Sequence, residues 1–543
     1  MPDAVVVGAG HNGLIAACYL AMAGRSVLVL EAQTRPGGGS RTEERPGLPG
    51  YRFDLHSAAH NVINMTAIPD ELDLAGAGLV YKQMDPFSVA VFADGRRVRF
   101  FRSVEATLDS IAAVDPGEAV AYRAFLDRAD PILTTVMPAI RGELPLREVP
   151  RRLWGLARTL RGGPLRQASD LLAPYDALLR RQLPSDLTRA PISAFAAHAG
   201  VGPTVPGGAL YAYWQLAYHR YGQWHARGGA QGLTDALLAR ASALGVEVRC
   251  SSPVTAIEHD HGNVRAVVVG DGTRIVTGSV ITAINPKVAL LDLPRPALHG
   301  SVPADLAAAR QGNVVQALIH VATDRLPPYP NGRPEDWHGL QSYVDRLEDV
   351  STAWVAAEAG RLVDRAPLYA FTTSAIDPTL APTGHHAVYL ACPAAPFRLE
   401  GGWPATTARF VDDAIATVES RAPGFTASII GVAPFTPDLM ADEGGWPGAH
   451  PMHLDLALDQ LGPFRPTRAL SDHRTPIGGL YLSGAGTSPA GGIAGTPGRL
   501  AAHALLADAH RLARADAKRV RRGRSLRTRD SADANASKPP AEH

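Results

Sequence analysis

The stretch "AVVVGAGHNGLIAACYLAMAGRSVLVLEA", residues 4–32, constrains this chain more than any other part of it. Ala4 to Val7 is a short apolar run, as in a strand buried on both faces. Gly8-Ala9-Gly10-His11-Asn12-Gly13 follows at once. Leu14 to Ala23 then has the pattern of an apolar helix ending at Gly24, and Val27 to Leu30 that of a second buried strand closed by Glu31. In this order Gly8 permits a tight turn, Gly10 lets a pyrophosphate approach the backbone, and Gly13 lets the helix pack close to the strand. The helix start offers free N–H groups and a partial positive charge to phosphate. Glu31 stands 18 residues beyond Gly13, close to the ~20 expected of a carboxylate that binds ribose hydroxyls. A carboxylate there repels a 2′-phosphate, so FAD or NAD is expected rather than NADP.

A second glycine cluster, "RPGGGSRTEE" at 35–44, follows the second strand. A bare NAD domain has no use for glycines there; the plain alternative is a flexible loop. The segment resembles the double-glycine stretch that follows the dinucleotide fold in FAD enzymes of the amine oxidase and phytoene desaturase superfamily. The resemblance implies FAD, with this segment running along its phosphates and ribitol.

Glycine turns fed by strands recur twice more. "GGAQGLTDALLARASALGVEVRCSSPVTAIE" at 228–258 gives a glycine turn, a helix over about 233–244 and a strand near 245–249. Pro253–Glu258 and Val264–Val269 then have the pattern of a hairpin or meander with Gly270-Asp271-Gly272 as its turn, and Val280–Asn285 that of another buried strand. "GLYLSGAGTSPAGGIAGTPGRLAAHALL", from Gly479, ends in a helix over about 497–513. One fold accounts for all three stretches: an α/β, Rossmann-like FAD-binding domain, discontinuous over 1–70, 225–295 and 465–515. An α+β substrate domain would be built from 71–224 and 296–464, and 516–543 is expected to be a disordered basic tail. The middle stretch with "VITAINPK", the late stretch and "GAHPMHLDLALDQLGPFRP" resemble the phytoene desaturase-like branch that contains CrtO-like carotenoid enzymes. One departure is Ser488, where that branch often carries His after Thr.

The resemblance implies which residues face the cofactor. They are Gly8, Ala9, Gly10, Asn12 and Gly13 of the first turn, Glu31 and Ala32 after the second strand, and Gly37, Gly38, Gly39 and Thr42 of the second cluster. Val254 would meet the adenine side through its backbone, and Asn285, Gly484, Ala485, Gly492 and Ile493 complete the set. No Cys or His stands in a flavin-linking motif, so non-covalent FAD is expected.

Composition excludes several other classes. The 543 residues suffice for two or more domains, and the formal net charge of +1 provides no global field for nucleic acid. The three cysteines, Cys18, Cys250 and Cys392, are scattered in apolar patterns, which speaks for core packing and against disulfides, zinc or a redox dithiol. No metal site, GxSxG, HExxH or P-loop is present. The first core strand begins by residue 4, so no signal peptide is expected, and no charge-free run has transmembrane length. The arginine-for-lysine bias with the alanine richness suggests a GC-rich bacterial genome, and a cytoplasmic protein is expected. Peripheral membrane contact would come from a basic amphipathic helix at 151–161 and the tail; a surface helix and a solvated tail are the plain alternatives.

Flavin chemistry at a C–H bond requires a dry pocket. Two stretches are candidates for lining it: "FDLHSAAHN", with His56 and His60, and "LYAYWQLAYHRYGQWH", with Tyr211, Trp214, Tyr218 and His219. An aromatic run serves a core equally well, and no residue is singled out as catalytic. Many amine oxidases of the superfamily hold a lysine near flavin N5, on a strand resembling "GNVVQALIHV" at 312–321; here that strand has none. The expected activity is dehydrogenation or isomerisation of a lipophilic, isoprenoid-like substrate, with oxygen or a quinone as electron acceptor. Amine or amino-acid oxidation, and flavin binding without turnover, are the alternatives.

Overall fold

A computed structural model of the chain describes residues 1–144, 148, 151–152, 154–155, 169–489 and 491–514. The expected helix at 151–161 lies mostly outside the described residues, and the tail expectation lies wholly outside them.

Strand β1 (Ala4–Val7) is buried throughout and pairs in parallel with β2 (Val27–Leu30), in the register Ala4↔Val27 to Val7↔Leu30. A parallel pair needs a crossover, and helix α1 (His11–Met22) supplies it. The helix begins at His11, ahead of the expected Leu14, because Gly10 is its extended N-cap at φ −70°, ψ 169°. Gly13 therefore falls in the first turn. A Cβ there would stand 2.0 Å from the Gly8 carbonyl oxygen, so only glycine lets the helix sit this close to the preceding turn.

The parallel sheet has five strands, ordered Leu480–Leu482, Val280–Thr282, β1, β2 and Glu247–Arg249. It thus collects strands from three distant parts of the chain. Helix Gln231–Ala243 packs against α1, and a helix at 496–514 follows the last strand. Four of these strands are short and buried throughout, the pattern of a sheet covered on both faces, whereas Glu247–Arg249 at the edge has its first and last residues exposed. The carboxyl ends of β1, β2, Val280–Thr282 and Leu480–Leu482 lead into Gly8, Glu31, Ala283 and Ser483 on one edge of this sheet. That edge is where ligands of open parallel sheets bind.

Beside the parallel sheet lies a meander of Val254–Asp260, Asn263–Val269 and Arg274–Val276. The first two strands turn at His261-Gly262; Gly270-Asp271-Gly272 turns the second into the third, and so is not the hairpin turn between the first pair.

The other large sheet has seven strands: Ile429–Phe435, Val314–Thr323, His386–Pro396, Tyr369–Phe371, Leu340–Ser342, Ser88–Val91 and Arg97–Phe100. Helices such as Pro116–Ile140 and Asp186–His198 share a buried apolar cluster with this sheet. The whole is an α/β parallel-sheet unit with an adjoining α+β region. Buried polar bonds tie the two together: Asp54 accepts from Thr42 Oγ1 (2.6 Å) and the Ala230 N–H (2.7 Å), while His225 Nε2 meets Asp377 (3.3 Å). Cys18 and Cys392 are core residues, whereas Cys250 is half-buried just past its strand; none is paired. Among the described residues no helix is long and apolar enough to cross a membrane, and no group of His, Cys, Asp or Glu could hold a metal.

Candidate cofactor and substrate site

A cavity of about 970 Å³ opens at the carboxyl edge of the parallel sheet and runs on toward the seven-stranded sheet. At its sheet end Gly8, Gly10 and Asn12 form the floor. A Cβ on Gly10 would find no protein atom nearer than Gly37 O at 3.9 Å. The protein itself would therefore accept a side chain there, and the space is left for whatever lies in the cavity. The N-terminus of α1 faces this floor. Gly492 and Ile493, immediately ahead of the 496–514 helix, form the wall beyond it. Two helix N-termini thus present donor N–H groups and positive partial charge to one space, an arrangement suited to phosphate and to electron-rich ring oxygens.

Glu31 is 9 % exposed and lies in the wall with Ala32. Its two carboxylate oxygens accept from the Ala9 N–H (2.7 Å) and the Gln33 N–H (2.9 Å). A carboxylate has about four acceptor sites, so ribose hydroxyls can still donate to it. Gly38 and Gly39 line the opposite side. Arg41 lines it too and is the only Lys or Arg among the described lining residues; its Nε donates to Gly38 O at 3.2 Å. One fixed cation, two helix starts, one ribose-seeking acid and a bare backbone at Gly10 fit the diphosphate and ribose of FAD. Val254, Asn285, Gly484 and Ala485 complete the wall on that side.

Four residues expected to face the cofactor do not line the cavity. Ala9 spends its N–H on Glu31, and its carbonyl accepts from the Gly37 N–H at 2.9 Å, which folds the second glycine cluster back onto the first. Gly37 is enclosed by this bridge, and Gly13 by its contact with Gly8. Thr42 instead anchors the seam, bonded to Asp54 and accepting from the Gln231 N–H at 3.0 Å.

Beyond the glycine cradle the cavity widens between His56, Phe195, His198, Tyr218, Gln316 and Trp446, with Tyr211 and Trp214 further along. The His56 ring stands edge-on to Trp446 at 5.4 Å, and its loop is held by the Tyr389 hydroxyl donating to the His56 carbonyl at 3.0 Å. His56 Nε2 is buried without a partner. Burial lowers His56 and His198 to about 4, so both are neutral imidazoles at physiological pH. Gln316 is fixed at both ends: its amide donates to His198 O at 2.8 Å and accepts from the Tyr369 hydroxyl at 3.2 Å. Two expected pocket residues lie elsewhere. His60 bonds the Tyr81 hydroxyl at 2.8 Å, and His219 packs in the helical core against the Tyr122 hydroxyl at 2.9 Å.

Several lining residues carry no signal in the sequence taken alone. His198 closes the helix Asp186–His198, and Gln316 shares its strand with His320 and Thr323, so neither stands out from the other polar residues of its element. Trp446 lies just ahead of the segment 451–464, which the sequence marks by its resemblance to the desaturase branch but whose place in the cavity wall only the folded chain reveals. His11 and Arg41, which the sequence reading did not single out, also line the cavity, and their places inside the two glycine motifs are the signal that points to them. Neither Lys82, which donates to the Ile376 carbonyl, nor Lys287, which donates to Ala307 O at 2.9 Å, lines the cavity. At its mouth Trp154, Leu172, Leu458 and Phe464 are lining residues that are also exposed to solvent.

The family model described as flavin containing amine oxidoreductase matches residues 13–505. The rat (Rattus norvegicus) pyridine nucleotide-disulfide oxidoreductase domain-containing protein 2 is 30% identical, over 93% of this chain and 93% of its own length. A phytoene dehydrogenase from Streptomyces griseus is 28% identical, over 90% of this chain and 92% of its own. Among solved structures, a triple mutant of putrescine oxidase superposes with a TM-score of 0.59 at 17% identity, covering 94% of this chain and 99% of that one.

Proposed function

The chain belongs to the flavin containing amine oxidoreductase family, FAD is its cofactor, and on that premise we propose that it dehydrogenates or isomerises a neutral, lipophilic, isoprenoid-like substrate. One observation carries the reading. Past Glu31 and Arg41, the described lining of the cavity holds no Lys, Arg, Asp or Glu, and burial holds its four histidines, His11, His56, His198 and His453, neutral. A chamber of this kind lowers the cost of burying an apolar chain and has no counter-ion for a protonated amine. The name of the Streptomyces griseus relative supports an isoprenoid, and the apolar mouth supports delivery from a lipid surface. The bound flavin supplies a two-electron acceptor for a substrate C–H. The chain binds it, orients the substrate between the aromatic walls and excludes water.

Amine oxidation is the second reading, favoured by the aromatic faces of Tyr211, Trp214 and Tyr218, which could enclose a cation. Anaerobic mixing of the purified yellow protein with an isoprenoid polyene and, separately, with putrescine separates the two. Bleaching by the polyene alone is expected; bleaching by putrescine alone would establish the amine reading. Co-sedimentation with anionic vesicles, weakened by salt, is the expected sign of delivery from a membrane, and its absence at low salt would remove that route.

A further inference from the structure

Arg465 is the largest fully buried side chain among the described residues, at 0% exposure. It meets no carboxylate in an ion pair there. Its partners are backbone carbonyls: Nη1 donates to Asp455 O (3.0 Å) and Gln460 O (3.1 Å), and Nη2 to Met452 O (2.6 Å), Leu454 O (3.2 Å) and Ala485 O (2.9 Å), with Nε also reaching Ala485 O at 3.3 Å. The nearby Asp455 carboxylate is engaged elsewhere, accepting from the Gly312 N–H at 2.6 Å and facing His450 Nε2 at 3.4 Å. Burial lowers the guanidinium only to about 10, so it is charged at neutral pH.

An unpaired cation in a protein interior is costly. Five carbonyls reduce that cost, but a neutral donor could hold the same loop without it. What distinguishes a cation is its field. Met452 and Ala485 both line the cavity, so the charge stands one peptide behind the wall. In a low-dielectric interior a charge acts strongly over such a distance. We propose that Arg465 is the fixed positive charge that raises the electron affinity of the flavin bound beside Gly484 and Ala485, as a positioning residue acting through the Ala485 peptide rather than by contact. The proposal rests on FAD occupying this cavity and is independent of which substrate the enzyme takes.

The test compares full-length Arg465→Lys, Arg465→Gln and Arg465→Met, each loaded with FAD. Flavin reduction is measured anaerobically at equilibrium with a reference redox dye. Lysine keeps the charge but loses most of the carbonyl bonds; glutamine keeps a donor but loses the charge. The equilibrium constant for reduction is expected to fall about tenfold or more in the Gln and Met proteins, and to stay within about threefold of wild type in the Lys protein. Neutral variants that hold FAD and reduce as readily as wild type would overturn the proposal. Should the neutral variants not retain FAD, the Lys protein decides. Wild-type electron affinity despite the lost bonds supports a role for the charge, and a tenfold fall means that Arg465 only clamps the loop.

Discussion

Gly10 and Gly13 are three residues apart and constrained for different reasons. At Gly10 the backbone is extended at φ −70°, a conformation open to any residue, and no protein atom stands within 3.9 Å of a Cβ. Gly10→Val should therefore fold with about the thermal stability of FAD-free wild type and yet fail to bind FAD, because the new methyls fill the space reserved for the diphosphate. Flavin absorbance per protein after purification checks this; a fully loaded Gly10→Val protein would remove the diphosphate from this turn. Gly13→Val should instead fail in folding, since its Cβ would lie 2.0 Å from Gly8 O. Arg41→Ala removes the only Lys or Arg side chain among the described lining residues. Charge-assisted hydrogen bonds are worth about 1.5–3 kcal/mol, so FAD affinity should fall roughly 10- to 100-fold, as read by quenching of free flavin fluorescence. Glycines were legible in the sequence because backbone geometry demands them wherever a phosphate or helix comes close. Thr42 was misplaced because its spacing from the glycines fits the cofactor segment equally well. Only packing shows that its hydroxyl is committed to Asp54.

At the scale of elements, the strand–turn–helix–strand unit was legible because its period and its punctuation agree. Its main boundary error, Leu14 for His11, arose because His11, Asn12 and Gly13 lack the apolar signature of a helix yet are buried in its first turn, while the end, Met22, was placed one residue late. The seven-stranded sheet was not legible: it pairs Leu340–Ser342 with Ser88–Val91, so its neighbours are set by tertiary packing. Strand Val314–Thr323 lies inside this sheet, paired on both sides, and sends Gln316 into the cavity wall. The lysine that many amine oxidases hold on the resembling strand is absent, and neither Lys82 nor Lys287 reaches the cavity. Among the described residues no lysine ammonium lines the cavity, so electron transfer to oxygen should be slow. In stopped-flow reoxidation a soluble quinone is expected to outpace air-saturated buffer by about tenfold or more. Prompt peroxide formation in air would show that another group performs the lysine's task.

For the molecule as a whole, the interior is unusually rich in neutral histidine, and this sets its response to pH. Burial lowers His11, His56, His198, His219 and His473 to about 4, and His60, His320 and His453 to about 3. In the unfolded chain each titrates near 6.5. The folded protein therefore binds fewer protons than the unfolded one below that pH. The stability these groups contribute is present above about pH 6.5 and is lost as pH falls toward 4, by up to about 1.4 kcal/mol per group and pH unit. His225 runs the other way. Burial lowers its pKa, but the bond to Asp377 and the charge of Asp54 more than offset this and raise it. Its contribution is full below pH 6.5 and is lost as pH rises through its higher folded value. Asp377, whose pKa is lowered by the same pairing despite its burial, loses its contribution only toward and below pH 3.8. The melting temperature of the FAD-loaded protein should thus fall steadily from about pH 7.5 to about pH 5, ahead of any carboxylate titration. His225→Gln should melt lower overall, lose more on acidification than wild type, and change less between about pH 7 and about pH 9. A wild-type melting temperature that is flat from pH 7.5 to pH 5 would mean that the buried imidazoles take up protons in the folded state, and with them the neutral chamber around His56 and His198 would be lost.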